Sequence, residues 1–150
     1  MNKLTKLIHD FWSWSRVPQA EWKDTDLMTL KIYPEDFPLV GEICSECIHL
    51  VNSPLTPDEM NMFLMGLAID AEDEDILDYC REAANDEFIH RIVTAGLLHP
   101  QSNARWQLAE LLRRDIPQRN YFLNRLLNDE NPYVRKRAHN VMEDLTQEQK

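Results

Sequence analysis

NPYVRKRAHNV, residues 131–141, reads as the opening of a helix and sets the period of the whole chain. Asn131 is a capping residue. Pro132 takes the first helical position, where its missing N–H matters least because that donor has no intrahelical partner. Val134, Ala138 and Val141 then share one face. The pattern recurs upstream: Ser102 precedes Ala104, Leu108 and Leu111, and Asp73 precedes Ile76, Cys80 and Ala83, so candidate caps 73, 102 and 131 are spaced by 29 residues. A second series interleaves with the first. Its candidate caps are Thr56, with Glu59 completing a capping box, then Asn85 and Asp115, spaced 29 and 30 residues apart. Its helices end alike, in GLAID (66–70), GLLHP (96–100) and RLLND (125–129).

Apolar spacing predicts helices near 3–15, 35–52, 57–69, 74–84, 86–98, 103–113, 117–128 and 132–145. Nothing alternates with period two over more than a few residues, and the eight prolines fall between apolar segments or in first turns. A chain of 150 residues is the size of one domain with its own core. Because a lone helical hairpin cannot bury its apolar stripe, this repeat predicts an all-α fold, a short right-handed α-solenoid of hairpins over 57–145. Residues 1–56 keep the period poorly and are expected to form an N-terminal capping region. There Leu4, Leu7, Ile8, Phe11 and Trp12 line one helix face that would cover the open end of the core, with Trp14 and Trp22 nearby.

LLNDENPYVRKRAHNVM (126–142) resembles a HEAT repeat, in which a Leu pair is followed by Asp, Pro, Val-Arg and Ala. The matching residues are Leu126, Leu127, Asp129, Pro132, Val134, Arg135 and Ala138. LLHPQSNARWQLAELL (97–112) is a weaker copy with Pro100, Ala104, Arg105 and Ala109, and with His99 where the Asp would fall. The unit before it keeps Asp70 but has Ile76 and Leu77 in place of Val-Arg. The resemblance implies a protein-binding scaffold, and implies that Arg135 pairs with the carboxylate of Asp129 or an equivalent acid along the stack.

Charge is segregated along the chain, whose formal net charge is −10. Residues 1–33 carry +1 and residues 91–150 carry +3, whereas residues 34–90 hold fifteen acidic side chains against one basic one. The densest part, DAEDEDILDYCREAANDE (70–87), contains Asp70, Glu72, Asp73, Glu74, Asp75, Asp78, Glu82, Asp86 and Glu87 with Arg81 alone to oppose them. Several sit in first turns, where the helix dipole favours them. The excess repels itself and is relieved by a basic partner. DAEDED lacks the glycine and the distal glutamate of a calcium loop. In 131–141, Arg135 and Arg137 flank the buried stripe and Lys136 and His139 point outward, which reads as architecture rather than a nucleic-acid grip.

CSECIH (44–49) offers Cys-x-x-Cys, but both cysteines lie on one apolar helical stripe with Val40, Ile43, Ile48 and Val51, and no second ligand pair exists to complete a zinc site. They read as small core residues. No nucleophile–base spacing, glycine-rich phosphate loop or His-Glu-x-x-His is present, so no catalytic residue, metal site or cofactor is expected. The apolar runs are too short to cross a bilayer, and Lys3, Lys6, His9 and Asp10 break up any secretory leader. Three cysteines make no disulfide framework, so a cytoplasmic location is expected. Together these point to a non-enzymatic binding protein that contacts neither nucleic acid nor membrane. Its acidic surface, with Tyr79 as an aromatic anchor, would meet a basic protein partner, most concretely a toxin domain neutralised by an immunity-type protein. The alternative is a structural adaptor or assembly chaperone that grips a peptide or helix on a concave face bearing Arg91, Asn120, Tyr121 and Asn124.

Overall fold

Side-chain acceptors decide where the helices begin. In the computed structural model, which describes residues 2–148, α1 (Lys3–Ser15) is capped by Asn2, α3 (Pro57–Ile69) by Thr56 with Glu59 returning the bond, and α5 (Asp86–Gly96) by Asn85. Asn131 caps α8 (Pro132–Glu148), its Oδ1 accepting the N–H groups of Tyr133 and Val134. The remaining helices are α2 (Val40–Leu50), α4 (Asp75–Ala83), α6 (Ser102–Leu111) and α7 (Arg119–Leu127), with three 3-10 turns at Gln19–Glu21, Leu27–Thr29 and Pro34–Asp36. No strand occurs among the described residues, so the fold is all-α.

Four expected starts differ. The helix expected from residue 35 begins only at Val40, because Pro38 disfavours helical backbone in the residue before it: Phe37 sits extended at ψ 126°. Glu74, not Asp73, occupies the N-cap of α4, in a left-handed conformation at φ 57°. Gln101 precedes α6, so Ser102 is its first helical residue; there it is buried, with its hydroxyl against Met28 Sδ. Gln118 at φ 67°, three residues past Asp115, precedes α7.

At the starts of α4, α6 and α8 one device recurs. Asp70, His99 and Asp129 end the three units 29 and 30 residues apart, and each turns an acceptor onto a backbone N–H entering the next helix. Asp70 Oδ2 takes Ile76 N at 2.8 Å, His99 Nδ1 takes Gln101 N at 3.1 Å, and Asp129 Oδ1 takes Asn131 N at 2.9 Å. The histidine therefore does with a neutral imidazole what its equivalents do with a carboxylate. Burial holds it neutral, pulling its pKa down to about 4.

Packing follows the alternation of the sequence. Helices α2, α4, α6 and α8 touch in succession, and α1, α3 and α5 do likewise. Residues 1–56 thus contribute a helix pair of their own, α1 against α2, with α1 on α3 and α2 on α4. Between them, residues 17–39 reach the start of α6. Leu27 N donates to Gln101 Oε1 at 2.8 Å, and fully buried Gln101 returns a bond to Thr25 O. At Gly66 of α3 an added Cβ would overlap Cys47 Sγ, so glycine is what lets α3 and α2 approach.

Helix α6 lies inside this arrangement. Nine of its ten residues are buried, including Arg105, Gln107 and Glu110, and it touches α3, α4, α5, α7, α8 and the turn at 27–29. Buried charge is tolerable only when paired. Arg105 grips Asp129 in a two-pronged pair, Nε to Oδ2 at 2.9 Å and Nη2 to Oδ1 at 3.1 Å, and gives Nη1 to His99 O. This corrects the pairing expected of Arg135: the arginine of one hairpin reaches the aspartate of the next, so Asp129 is already taken by Arg105. Arg135 binds the backbone carbonyl of Asp129 instead, at 2.7 Å.

Glu110 receives three arginines. Its Oε1 accepts Arg137 Nη2 at 2.6 Å, and its Oε2 accepts Arg113 Nε at 2.8 Å and Arg81 Nη2 at 3.3 Å. Burial opposes its charge, but the bonds from Arg113 and Arg137 outweigh that and hold its carboxyl below the ordinary range. Arg137 also lies over the Trp106 ring, 4.3 Å from its centroid, and donates to Tyr133 Oη. Glu110→Gln keeps the shape and removes the charge that three arginines face. Since those arginines keep some access to water, the expected loss is about 2 kcal/mol, below that for a wholly buried pair. Urea unfolding at neutral pH measures it, and an unchanged midpoint would show that the cluster contributes no net stability.

Candidate partner-binding face

After α3 the chain turns over residues 71–74 and enters α4, which buries Ile76, Leu77 and Cys80. Asp75, Asp78, Tyr79 and Glu82 fall at i, i+3, i+4 and i+7 and are exposed, so they form one outward stripe. Tyr79 is 40% exposed. Glu72 and Asp73 in the turn, and Asp86 and Glu87 in the first turn of α5, are exposed as well, and Glu74 is half-buried. Nine of the ten residues expected at the binding surface therefore reach the surface on one stretch of the molecule.

Asp70 does not. It is 5% exposed, because its carboxylate is turned inward to cap α4. Where Asp129 has Arg105, Asp70 faces Cys44 of α2. Burial, with Asp75 and Asp73 nearby, pushes its pKa up to about 6 against the pull of its hydrogen bond from Ile76 N.

The bases near the stripe are committed elsewhere. Arg81 reaches Glu110 at 3.3 Å and Asp78 only at 3.6 Å. Arg114 donates to the carbonyls of Ala84 and Arg81, with Asp86 at 3.6 Å. Glu72, Asp73, Glu74, Asp75, Glu82 and Glu87 make no ion pair among the described residues. The field over α4 is negative, offset only at Asp78 and Asp86 by Arg81 and Arg114 at 3.6 Å.

Cys44 Sγ and carboxylate oxygens of Asp70 and Asp75 lie within 4.8 Å of one another, and they are the residues here that could hold a metal ion. Burial first, then the charges of Asp70, Asp75 and Asp73, push the Cys44 thiol up to about 11. Cys80 is raised to about 12 and buried Cys47 well above its ordinary value, both mainly by burial. All three thiols are free and protonated at neutral pH, as core residues rather than nucleophiles.

Three exposed side chains outside the acidic stretch, Met28 and Tyr33 (50% and 67% exposed) and Tyr133 of α8, border Glu72 and Glu74, with buried Trp106 of α6 behind them. Met28 and Tyr33 belong to an aperiodic segment, and the Tyr33–Pro34 pair, a mark of extended chain, was the one local signal there. Of the residues expected on a concave grip, Asn120, Tyr121 and Asn124 are exposed, but Arg91 is bound to Leu55 O at 2.6 Å. No described helix is long and apolar enough to cross a membrane.

The raised pKa of Asp70 has a definite sign. The folded state holds this proton more tightly than the unfolded chain, so stability from this group is highest below about pH 4 and falls as pH rises through about 6. His99 acts oppositely over much of the same range, since its depressed pKa makes the fold weaker on acidification. The difference between wild type and Asp70→Asn isolates the first effect. It should shift by about 2 kcal/mol against the wild type between pH 4 and pH 7 in urea unfolding, and a pH-independent difference would mean that Asp70 is ionised throughout. In comparisons with protein-family models, curated proteins and solved structures, nothing matches this chain.

Proposed function

We propose that this protein is a non-enzymatic binding module, a short HEAT-like α-solenoid that offers the acidic face of α4 and its flanking turns to one basic protein partner. The most concrete version is an immunity- or antitoxin-type protein that neutralises a cationic toxin domain, such as a nuclease, in the cytoplasm. One observation carries the reading. The stripe of Asp75, Asp78, Tyr79 and Glu82 is exposed, and Arg81 and Arg114 make their shortest bonds to Glu110 and to backbone carbonyls, leaving Asp75 and Glu82 without an ion pair among the described residues and Asp78 with Arg81 at 3.6 Å. A protein that needed only solubility would gain from pairing those charges on the surface.

The mechanism follows from electrostatics. The negative field accelerates encounter with a cationic domain and orients it, while short-range packing sets how long the complex lasts. Carboxylates on the stripe would occupy the lysines and arginines with which a nuclease holds phosphate. Tyr79 supplies a rigid aromatic surface at little entropic cost. A protein partner is favoured over nucleic acid because Arg137 and Arg135 of the basic stretch are bound to Glu110 and to Asp129 O.

Replacing Asp75, Asp78 and Glu82 together by lysine should slow association with the basic partner by about tenfold or more at low salt, with the gap closing as salt screens the field. Surface plasmon resonance against the partner recovered by pull-down reads this directly. Equal association rates for wild type and variant would reject the acidic-face mechanism.

A further inference from the structure

Beside the α4 stripe two depressions of about 220 and 370 Å³ adjoin, sharing Met28, Ala71, Glu72 and Asn103. They make one groove. Its walls are the 28–35 segment on one side and the first turns of α6 and α8 on the other, with the α3–α4 turn between them. Seven large apolar or aromatic side chains are exposed on the described surface, and three of them, Met28, Tyr33 and Tyr133, line this groove. Their clustering is what a contact surface requires and a solvated one does not.

The charges in the groove are of one effective sign. Glu35, Glu72 and Glu74 make no ion pair among the described residues. Arg137 is the one base lining the two depressions, and its guanidinium is already neutralised by Glu110 and covered by Trp106; Lys31 of the 28–35 segment is exposed but lines neither. Carboxylates set among a methionine and two tyrosines match a side chain with an apolar stem and a cationic head: the stem lies on the rings, the head meets the acids. A second copy of this chain fits poorly, since its own net charge is −10.

We propose that this groove, continuous with the acidic face, seats an extended arginine- or lysine-bearing segment of the basic partner and supplies the short-range contacts that hold the complex. The proposal rests on reading the acidic face as the partner surface. Field and grip are then separate: the α4 stripe sets the rate of arrival, and the groove sets the rate of departure.

Nitrogen-15 correlation spectra of the whole protein, titrated at low salt with acetyl-Arg-Leu-Arg-Leu-Arg-amide, test both ideas and tell them apart. The expected result is a set of shifts centred on residues 28–35, 71–74, 103–106 and 133–137, with affinity reduced about fivefold or more in Tyr33→Ala and in Glu72→Lys. Both positions are exposed, so unchanged circular dichroism and urea midpoints confirm that these variants fold. Shifts confined to residues 75–87 would overturn the groove while leaving the acidic face intact. Spermine producing the same groove shifts as the peptide, with no loss in Tyr33→Ala, would reduce the groove to bare charge and overturn its role as a seat. Concentration-dependent broadening of groove signals without peptide would give it to a second copy and overturn the proposal. No localised shift anywhere would remove both the groove and the acidic face.

Discussion

One carboxylate in the middle of the molecule ties three helices together. Glu110 lies inside α6 and takes arginines from α4, from the turn that follows α6 and from α8. A helix buried on nearly every side ordinarily has to be apolar throughout. Here α6 carries Arg105, Gln107 and Glu110 instead, and each is directed at a different neighbour: Arg105 at Asp129, Gln107 at Leu67 O and Glu110 at the arginines. Apolar contact alone would let adjacent helices slide along one another with little change in buried area. Directional bonds at fixed heights along α6 set the register of the stack, a role for which buried ion pairs are better suited than for raw stability.

The same wiring shapes the outer surface. Arg81 and Arg114 spend their shortest bonds on Glu110 and on the carbonyls of Ala84 and Arg81, and so meet the surface acids Asp78 and Asp86 only at 3.6 Å. The negative face of α4 is thus partly a consequence of how the core is held. Asp70 shows the boundary between the two regimes. It stands where Asp129 stands in its own unit, but its neighbour is Cys44 and not a cation, so it keeps a proton to about pH 6 while doing the same capping work.

Much of the fold was legible because it is written in short-range chemistry. Thr56, Asn85 and Asn131 each place an acceptor on the first turn of the helix that follows, and the 29 residues from Thr56 to Asn85 show through as one period of the repeat. Capping by Asp70 and His99 was not legible, since it depends on how the chain bends back between helices, and spacing rules favoured Asp73 and Ser102. Arg137 was placed correctly on the flank of the buried stripe, yet its partner is 27 residues away on another helix and leaves no mark in local sequence. For the acidic face, a helical period of 3.6 was enough to predict that Asp75, Asp78, Tyr79 and Glu82 align. The groove beside it was invisible, because Met28 and Tyr33 come from the segment without period.

That segment explains why the groove can act as a seat rather than as a loose flap. Residues 17–39 contain only 3-10 turns, which would ordinarily leave them mobile. Gln101, wholly buried at the entrance to α6, receives Leu27 N and donates to Thr25 O, and Ser102 sets its hydroxyl against Met28 Sδ. Phe37 packs edge-on to Phe11 at the other end, with ring centroids 5.5 Å apart. Both ends of the wall bearing Met28 and Tyr33 are therefore fixed to the core before any partner arrives. The entropy of ordering that wall is spent in folding, which leaves more of the contact energy available for binding. The N-terminal third, which broke the repeat, packs α1 on α3 and α2 on α4 and brings the exposed side chains of Met28 and Tyr33 to the edge of the acidic face.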